Sequence, residues 1–169
     1  WTSDCKPGPG TFEDTTSYLL GLRYRSKNDI TTLFEYYHNG AGNAKSVQQQ
    51  FYKCAHQAWD EGDRDSLEKL PLSDDIEQGP FSRQTPMRNY LNLRVWWEEP
   101  YNILYFVPAL QVLYNLDDDS HSISPEATYT GYGNFEIRLR GELPVGDSLT
   151  EWGEKPSDWK VQLRVRYYF

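Results

Sequence analysis

A chain of 169 residues with no internal repeat at a period of about 20 to 50 residues forms one domain or part of one. Its net charge of -8 leaves no uncompensated basic face for phosphates, so nucleic acid drops out as a partner. Mean hydropathy of -0.78, without an apolar run of about 18 residues, excludes a transmembrane helix but not a barrel, which exposes only alternate residues to lipid.

Aromatic residues make up 15% of the chain, a composition shared by proteins that cross two membrane interfaces and by sugar-binding or secreted β-sandwiches. The chain begins at Trp1 without a signal-peptide pattern and runs into Cys5-Lys-Pro-Gly-Pro-Gly10, which reads as a processed product or one piece of a longer one.

Seven alternating segments follow in order. Ser17 to Arg25 sets Tyr18, Leu20, Leu22 and Tyr24 against Leu19, Gly21, Arg23 and Arg25, and the polar Ser26-Lys-Asn-Asp29 reverses it. Ile30 to His38 returns with Thr32, Phe34 and Tyr36 against Leu33, Glu35 and Tyr37. Residues 43–86 then form one long insertion holding an amphipathic helix over about 46–61. Ser46 and Gln49 have capping-box spacing, Val47, Phe51, Cys54, Ala55 and Ala58 recur at helical steps, and Gly62 stops the pattern. The two cysteines, Cys5 and Cys54, are compatible with a disulfide that fastens this insertion to the segment before the first strand, with two unpaired thiols as the alternative.

Arg88 to Glu98 places Leu91, Leu93, Val95 and Trp97 opposite Tyr90, Asn92, Arg94, Trp96 and Glu98, and Glu99-Pro-Tyr-Asn102 turns it. Ile103 to Leu116 is apolar on both faces, with Tyr105, Val107, Ala109 and Leu113 on the polar-side row, and its Pro108 suggests a bulge. After Asp117-Asp-Asp119 comes a weak strand, Ser122 to Thr130, carrying Glu126, and Gly131-Tyr-Gly-Asn134 leads into Phe135 to Leu143. There Phe135, Ile137, Leu139, Gly141 and Leu143 face away from Glu136, Arg138, Arg140 and Glu142. A Pro/Gly-rich loop, 144–157, precedes the last segment, where Trp159, Val161, Leu163, Val165, Tyr167 and Phe169 alternate with Lys160, Gln162, Arg164, Arg166 and Tyr168.

That ending resembles the closing strand of bacterial outer-membrane β-barrels, whose C-terminal strand typically finishes on an aromatic residue read by the barrel-assembly machinery. The resemblance implies an all-β, antiparallel transmembrane barrel segment in the bacterial outer membrane, with Tyr167 and Phe169 as assembly signal and outer-membrane lipid against the apolar rows. Short turns at 26–29, 99–102 and 131–134 and long connections at 43–86 and 144–157 sort the two ends into periplasmic and extracellular sides, with 117–121 a short exception outside. The helix then lies on the barrel mouth, and Phe169 ends in the periplasm. Seven strands ending there begin outside, whereas single-chain bacterial barrels have even strand numbers, so the whole chain is expected to be the C-terminal segment of a larger barrel whose N-terminal remainder accompanies it.

In this register Arg23, Arg25, Glu35, Arg94, Glu98, Glu126, Glu136, Arg138, Arg140, Glu142, Lys160, Arg164 and Arg166 line the lumen. The implied function is a porin-like channel that passes small hydrophilic solutes with a bias toward anions, or a scaffold whose lumen holds a plug or an electron-transfer cytochrome. Tyr24, Trp96, Trp97, Tyr105, Tyr129, Tyr132, Tyr167 and Phe169 form one aromatic girdle and Tyr18, Tyr36, Tyr114 and Trp159 the other. The alternative is a soluble, secreted, lipocalin-type barrel with the apolar rows inside around a lipophilic ligand.

No nucleophile–base pairing, phosphate loop or cofactor fingerprint is present, so neither catalysis nor a cofactor is expected. Asp60-Glu-Gly-Asp-Arg-Asp65 lacks the ligand order of a calcium loop, and His38, His56 and His121 are too scattered for a metal site. Asp117, Asp118 and Asp119 read as a charged hairpin tip, with a divalent-cation bridge to lipopolysaccharide as the alternative.

Overall fold

The computed structural model describes residues 15–60, 62 and 85–169. Alternation becomes an antiparallel meander of β1 (Tyr18–Arg25), β2 (Ile30–His38), β3 (Asn89–Trp97), β4 (Phe106–Asn115), β5 (His121–Tyr132), β6 (Phe135–Val145) and β7 (Lys160–Tyr167). Each strand pairs with its chain neighbours in the order β1-β2-β3-β4-β5-β6-β7, and the sheet is open, with β1 and β7 as its edges. The single α-helix among the described residues, α1 (Lys45–Asp60), lies in the connection from β2 to β3.

Several boundaries differ from the sequence reading, each for a local reason. The last strand is confined to residues 160–167, and β4 begins at Phe106 rather than at 103, because Tyr101, Asn102 and Tyr105 adopt left-handed φ values of 55°, 60° and 63°. The expected four-residue turn is therefore an eight-residue connection, 98–105, built around a 3-10 turn at Pro100–Asn102. The strand read as weak is the longest of the seven, at 12 residues. It runs to Tyr132, where Gly133 at φ 55° supplies the first central position of a two-residue hairpin into Phe135.

Pro108 makes no bulge. Its pairing with Ala127 stays in register, while the ladder from β3 ends at Ala109, so the missing N–H faces a side with no partner strand. The irregularity falls instead between Tyr129 and Tyr132 of β5. Ser46 and Gln49 do not cap α1 either. Ala44 offers the first helical carbonyl, to Gln48 N–H, and the start is set by tertiary pairing: the Asn43 amide bonds the Pro86 carbonyl at 2.8 Å beside an Asn43–Met87 bridge. Gly62, at φ 64°, stands where the helix stops, and its N–H bonds the Trp59 carbonyl. Cys54 is buried on α1 and disulfide-bonded; Cys5, the chain's other cysteine, lies outside the described residues, as do Glu61 and Asp63–Asp65 of the acidic run.

Burial is inverted relative to a water-soluble core. On the interior strands Phe34, Leu93 and Leu110 keep 46%, 40% and 46% of their surface, whereas Thr31, Tyr90 and Asn115 on the opposite face keep 0%, 1% and 0%. Strand edges do not explain this, since β2, β3 and β4 are paired on both sides. Large aromatic clusters lie at both strand ends: Tyr18 with Tyr36 and His38, and Tyr114 with His121, at the long-connection end; Trp97 with Tyr101, and Tyr132, Phe135, Tyr167 and Phe169 in series, at the other. Trp96 departs from the girdle assigned to it. It sits on the polar face, paired with Thr31 and Ala109, with the Arg23 and Arg94 guanidinium groups 5.1 and 5.9 Å from its ring centre.

A Cβ on Gly42 would collide with the Met87 carbonyl, so this glycine lets the two ends of the helical connection touch. Gly42→Ala is expected to cost about 1–3 kcal/mol. Hydrogen exchange should accelerate across Lys45–Asp60 while the β6–β7 ladder keeps its protection; unchanged exchange in the helix would refute the tie.

Candidate functional site: the polar face of the sheet

Continuous register assembles the candidate wall from residues far apart in sequence. One transverse row crosses all seven strands as Arg25, Thr31, Trp96, Ala109, Glu126, Arg140 and Gln162. Beside it run Arg23, Leu33, Arg94, Gln111 and Ser124, and then Gly21, Glu35, Asn92, Leu113 and Ser122. On the last two strands Glu142 stands opposite Lys160, Arg138 opposite Arg164, and Glu136 opposite Arg166. Glu98 lies just beyond β3 at the rim. Tyr105 falls in the 98–105 connection, so it does not belong to the inward row of β4.

Several neighbouring groups on this face pair with one another, though Thr31 Oγ1 and Arg138 Nε are buried without a partner among the described residues. Asn92 Nδ2 donates to Glu35 Oε2 at 2.8 Å and Gln111 Nε2 to Asn92 Oδ1 at 2.8 Å, a ladder from β2 to β4. Arg94 pairs with Glu126 at 3.4 Å, and Glu136 receives Arg138 at 3.3 Å, Arg166 at 3.7 Å and the Tyr168 hydroxyl at 2.8 Å. At the short-turn rim Arg25 bridges Asp29 at 3.0 Å and Glu98 at 2.9 Å; both pairs are solvent-exposed and contribute little to stability.

At the opposite end the β6–β7 connection, 146–159, folds back over this face. Glu151 is 2% exposed and its Oε2 accepts from the Tyr90 hydroxyl at 2.7 Å and Asn115 Nδ2 at 2.8 Å, while its backbone N–H donates to Asp118 Oδ2 at 2.7 Å. Tyr90 in turn donates nothing to Met87 but accepts its N–H at 2.8 Å, so β3, β4 and three connections share one buried polar knot. Burial pushes the Glu151 carboxyl up to about 7, against the Tyr90 and Asn115 hydrogen bonds and Lys155, which favour charge. Tyr52 of α1 is pushed up to about 12, chiefly by burial. The helix reaches the same connection through His56, 2.6 Å from Glu154. Burial would raise Glu154, but the Leu149 amide and His56 hold it below the ordinary carboxylate range.

The aspartates at the β4–β5 tip are occupied by protein donors. Asp117 accepts the Arg88 and Asn89 amides at 2.8 Å each, Asp118 accepts Ser120 and Glu151, and Asp119 accepts the Tyr114 hydroxyl. Among the described residues no cluster of His, Cys, Asp and Glu could hold a metal.

A cavity of about 460 Å³ lies on the polar face under the 146–159 connection, lined in part by Gln111, Ser122, Ser124, Arg140, Glu142, Trp152, Lys155, Lys160 and Gln162. Of these the sequence singled out Arg140, Glu142 and Lys160. Gln111 and Gln162 carried the signal of polar residues at inward positions; Glu151, Trp152 and Lys155 carried none, because a loop has no period.

No family model, curated protein or solved structure matches this chain.

The Glu151 knot makes stability depend on pH. An unfolded carboxyl titrates near 4.5 and the buried one near 7, so its contribution is complete below about 4.5 and is lost as pH rises through about 7. The parent should be less stable to urea at pH 8 than at pH 4.5 by on the order of 3 kcal/mol from this group. Glu151→Gln, which keeps an acceptor toward Tyr90, should flatten that difference; an equally steep profile in the variant would assign the effect elsewhere.

Proposed function

We propose that this chain is a segment of a bacterial outer-membrane β-barrel forming a porin-like channel for small hydrophilic solutes, with a bias toward anions. The observation that carries the reading is the inverted burial of β2–β4: aliphatic and aromatic side chains stand exposed on one face, and the opposite face is a hydrogen-bonded wall of acids, amides and guanidinium groups. A lipocalin-type alternative needs the apolar rows on the covered face, whereas here the 146–159 connection lies over the ionic rows. Outer-membrane lipid against the apolar face removes from water side chains that each gain about 1.5–3 kcal/mol on full burial.

β1 and β7 run in the same direction, being first and last of seven antiparallel strands. Closure by antiparallel pairing therefore takes an odd number of further strands, supplied from outside the described residues, between the two edges. These form the remainder of the barrel in this proposal. In it the short-turn end faces the periplasm, where Tyr167 and the exposed Phe169 are offered to the assembly machinery, and α1 with the 146–159 connection faces outward.

Two measurements test the reading on the native polypeptide, together with any accompanying barrel chain. Leu93→Arg, at the centre of the apolar face, should weaken folding into lipid vesicles by about 2–4 kcal/mol, and a variant that instead remains folded and water-soluble would favour the soluble barrel. In planar bilayers, Arg138→Glu with Arg164→Glu should move the reversal potential toward cation preference. A folded, inserted protein that never conducts would refute the channel.

A further inference from the structure

We infer that the cavity under the 146–159 connection is a binding subsite for a monosaccharide-sized hydroxy acid, a solute with one carboxylate and several hydroxyls; the assignment rests on the polar face being a solute-facing wall. Its volume, about 460 Å³, lies within the range of small-molecule sites. Arg140, Lys155 and Lys160 contribute three cations to its lining against one acid, Glu142. None of the three cations is paired with a carboxylate among the described residues, whereas Arg25, Arg94, Arg138 and Arg166 each have such a partner. Arg23 and Arg164 on the same face also lack a carboxylate partner among the described residues, and Arg138 and Arg166 share Glu136, so the cavity is one of the places where the wall carries excess positive charge.

The remaining lining selects among anions. Glu142 can only accept hydrogen bonds when ionised, so an occupant beside it must bring donors, which a hydroxylated solute has and a simple carboxylate lacks. Ser122, Ser124, Gln111 and Gln162 donate and accept, matching hydroxyl groups. A phosphate dianion carries more charge toward Glu142 and brings few donors, so it fits less well. Trp152, with Lys155 Nζ 5.0 Å from its ring centre, couples the cationic part of the site to a fluorophore.

The test uses the full-length protein in detergent micelles at low salt, with glucuronate as probe and glucose, acetate and inorganic phosphate as comparisons. Glucuronate should change tryptophan emission saturably, and Trp152→Phe should remove most of that change. Glucose and acetate should each bind at least about tenfold more weakly, since each lacks one half of the recognised chemistry. Combined Arg140→Gln, Lys155→Gln and Lys160→Gln should weaken glucuronate at least about tenfold. Lys155→Gln alone, outside the sheet and so without effect on strand pairing, should weaken it about threefold. Lys27→Gln, on the turn at the far end, should leave binding unchanged.

Absence of glucuronate binding, equal binding of glucose or phosphate, or undiminished affinity in the triple variant would overturn the subsite. The two proposals fail separately. A conducting protein that ignores glucuronate retires the subsite and keeps the channel; saturable binding by an inserted protein that never conducts keeps the subsite and retires the channel.

Discussion

Everything on the polar face depends on strand register. Side chains alternate with a period of two, so a slip of one residue on any strand would carry its ionic row to the apolar face and its aliphatic row inward. The ladders of β1 through β4 run without irregularity, and cross-strand contacts hold them from the polar side: Asn92 to Glu35, Gln111 to Asn92, and Arg94 across β4 to Glu126. These contacts exist only in the observed register. Their role is specification more than net stability, because water competes for each group in any other arrangement.

The covered end is held by different physics. Glu151, Tyr90 and Asn115 exclude water from a set of hydrogen bonds that joins two strands to the 146–159 connection, and Asp118 receives that connection's backbone. Such a knot is strong when complete and costly when a member is lost, since the groups left behind are buried without partners. It therefore anchors the connection against the sheet, and the His56–Glu154 contact adds α1 to the same assembly. The cavity owes its roof to this anchoring: Trp152 follows directly on the buried glutamate, and Lys155 follows Glu154, which His56 and the Leu149 amide hold.

The strands were legible in the sequence because hydrophobic alternation is a local signal that pairing then amplifies. β2 runs over the residues that alternation marked, Ile30–His38, while β4 lost its first residues to left-handed backbone at Tyr101, Asn102 and Tyr105, which composition does not announce. The sharing of one face by Arg140 and Glu126 followed from counting; their place in a row with Arg25 required the register. Trp96 was legible as inward by its parity, yet its ring was assigned to the girdle by residue type alone. Helix position came from periodicity, but its first residue came from the Asn43–Met87 bridge, a contact between segments 44 residues apart by number. The roof had no sequence signal at all.

The division between paired and unpaired cations bears on how such a wall acts on solutes. A guanidinium held against a carboxylate presents a dipole, whose field falls off faster than that of a single charge and is further cut by ionic strength over roughly 8–10 Å. Arg94 with Glu126 therefore shapes and polarises the surface without strongly selecting charge sign, whereas Arg138 and Arg166 around the one Glu136 leave net positive charge there. Arg140, Lys155 and Lys160 bring net positive charge to the cavity lining, and being solvent-exposed they too are screened by ionic strength. In the proposed channel an anion bias would therefore draw on both the Glu136 cluster and the cavity cations, even though the chain as a whole carries a net charge of -8.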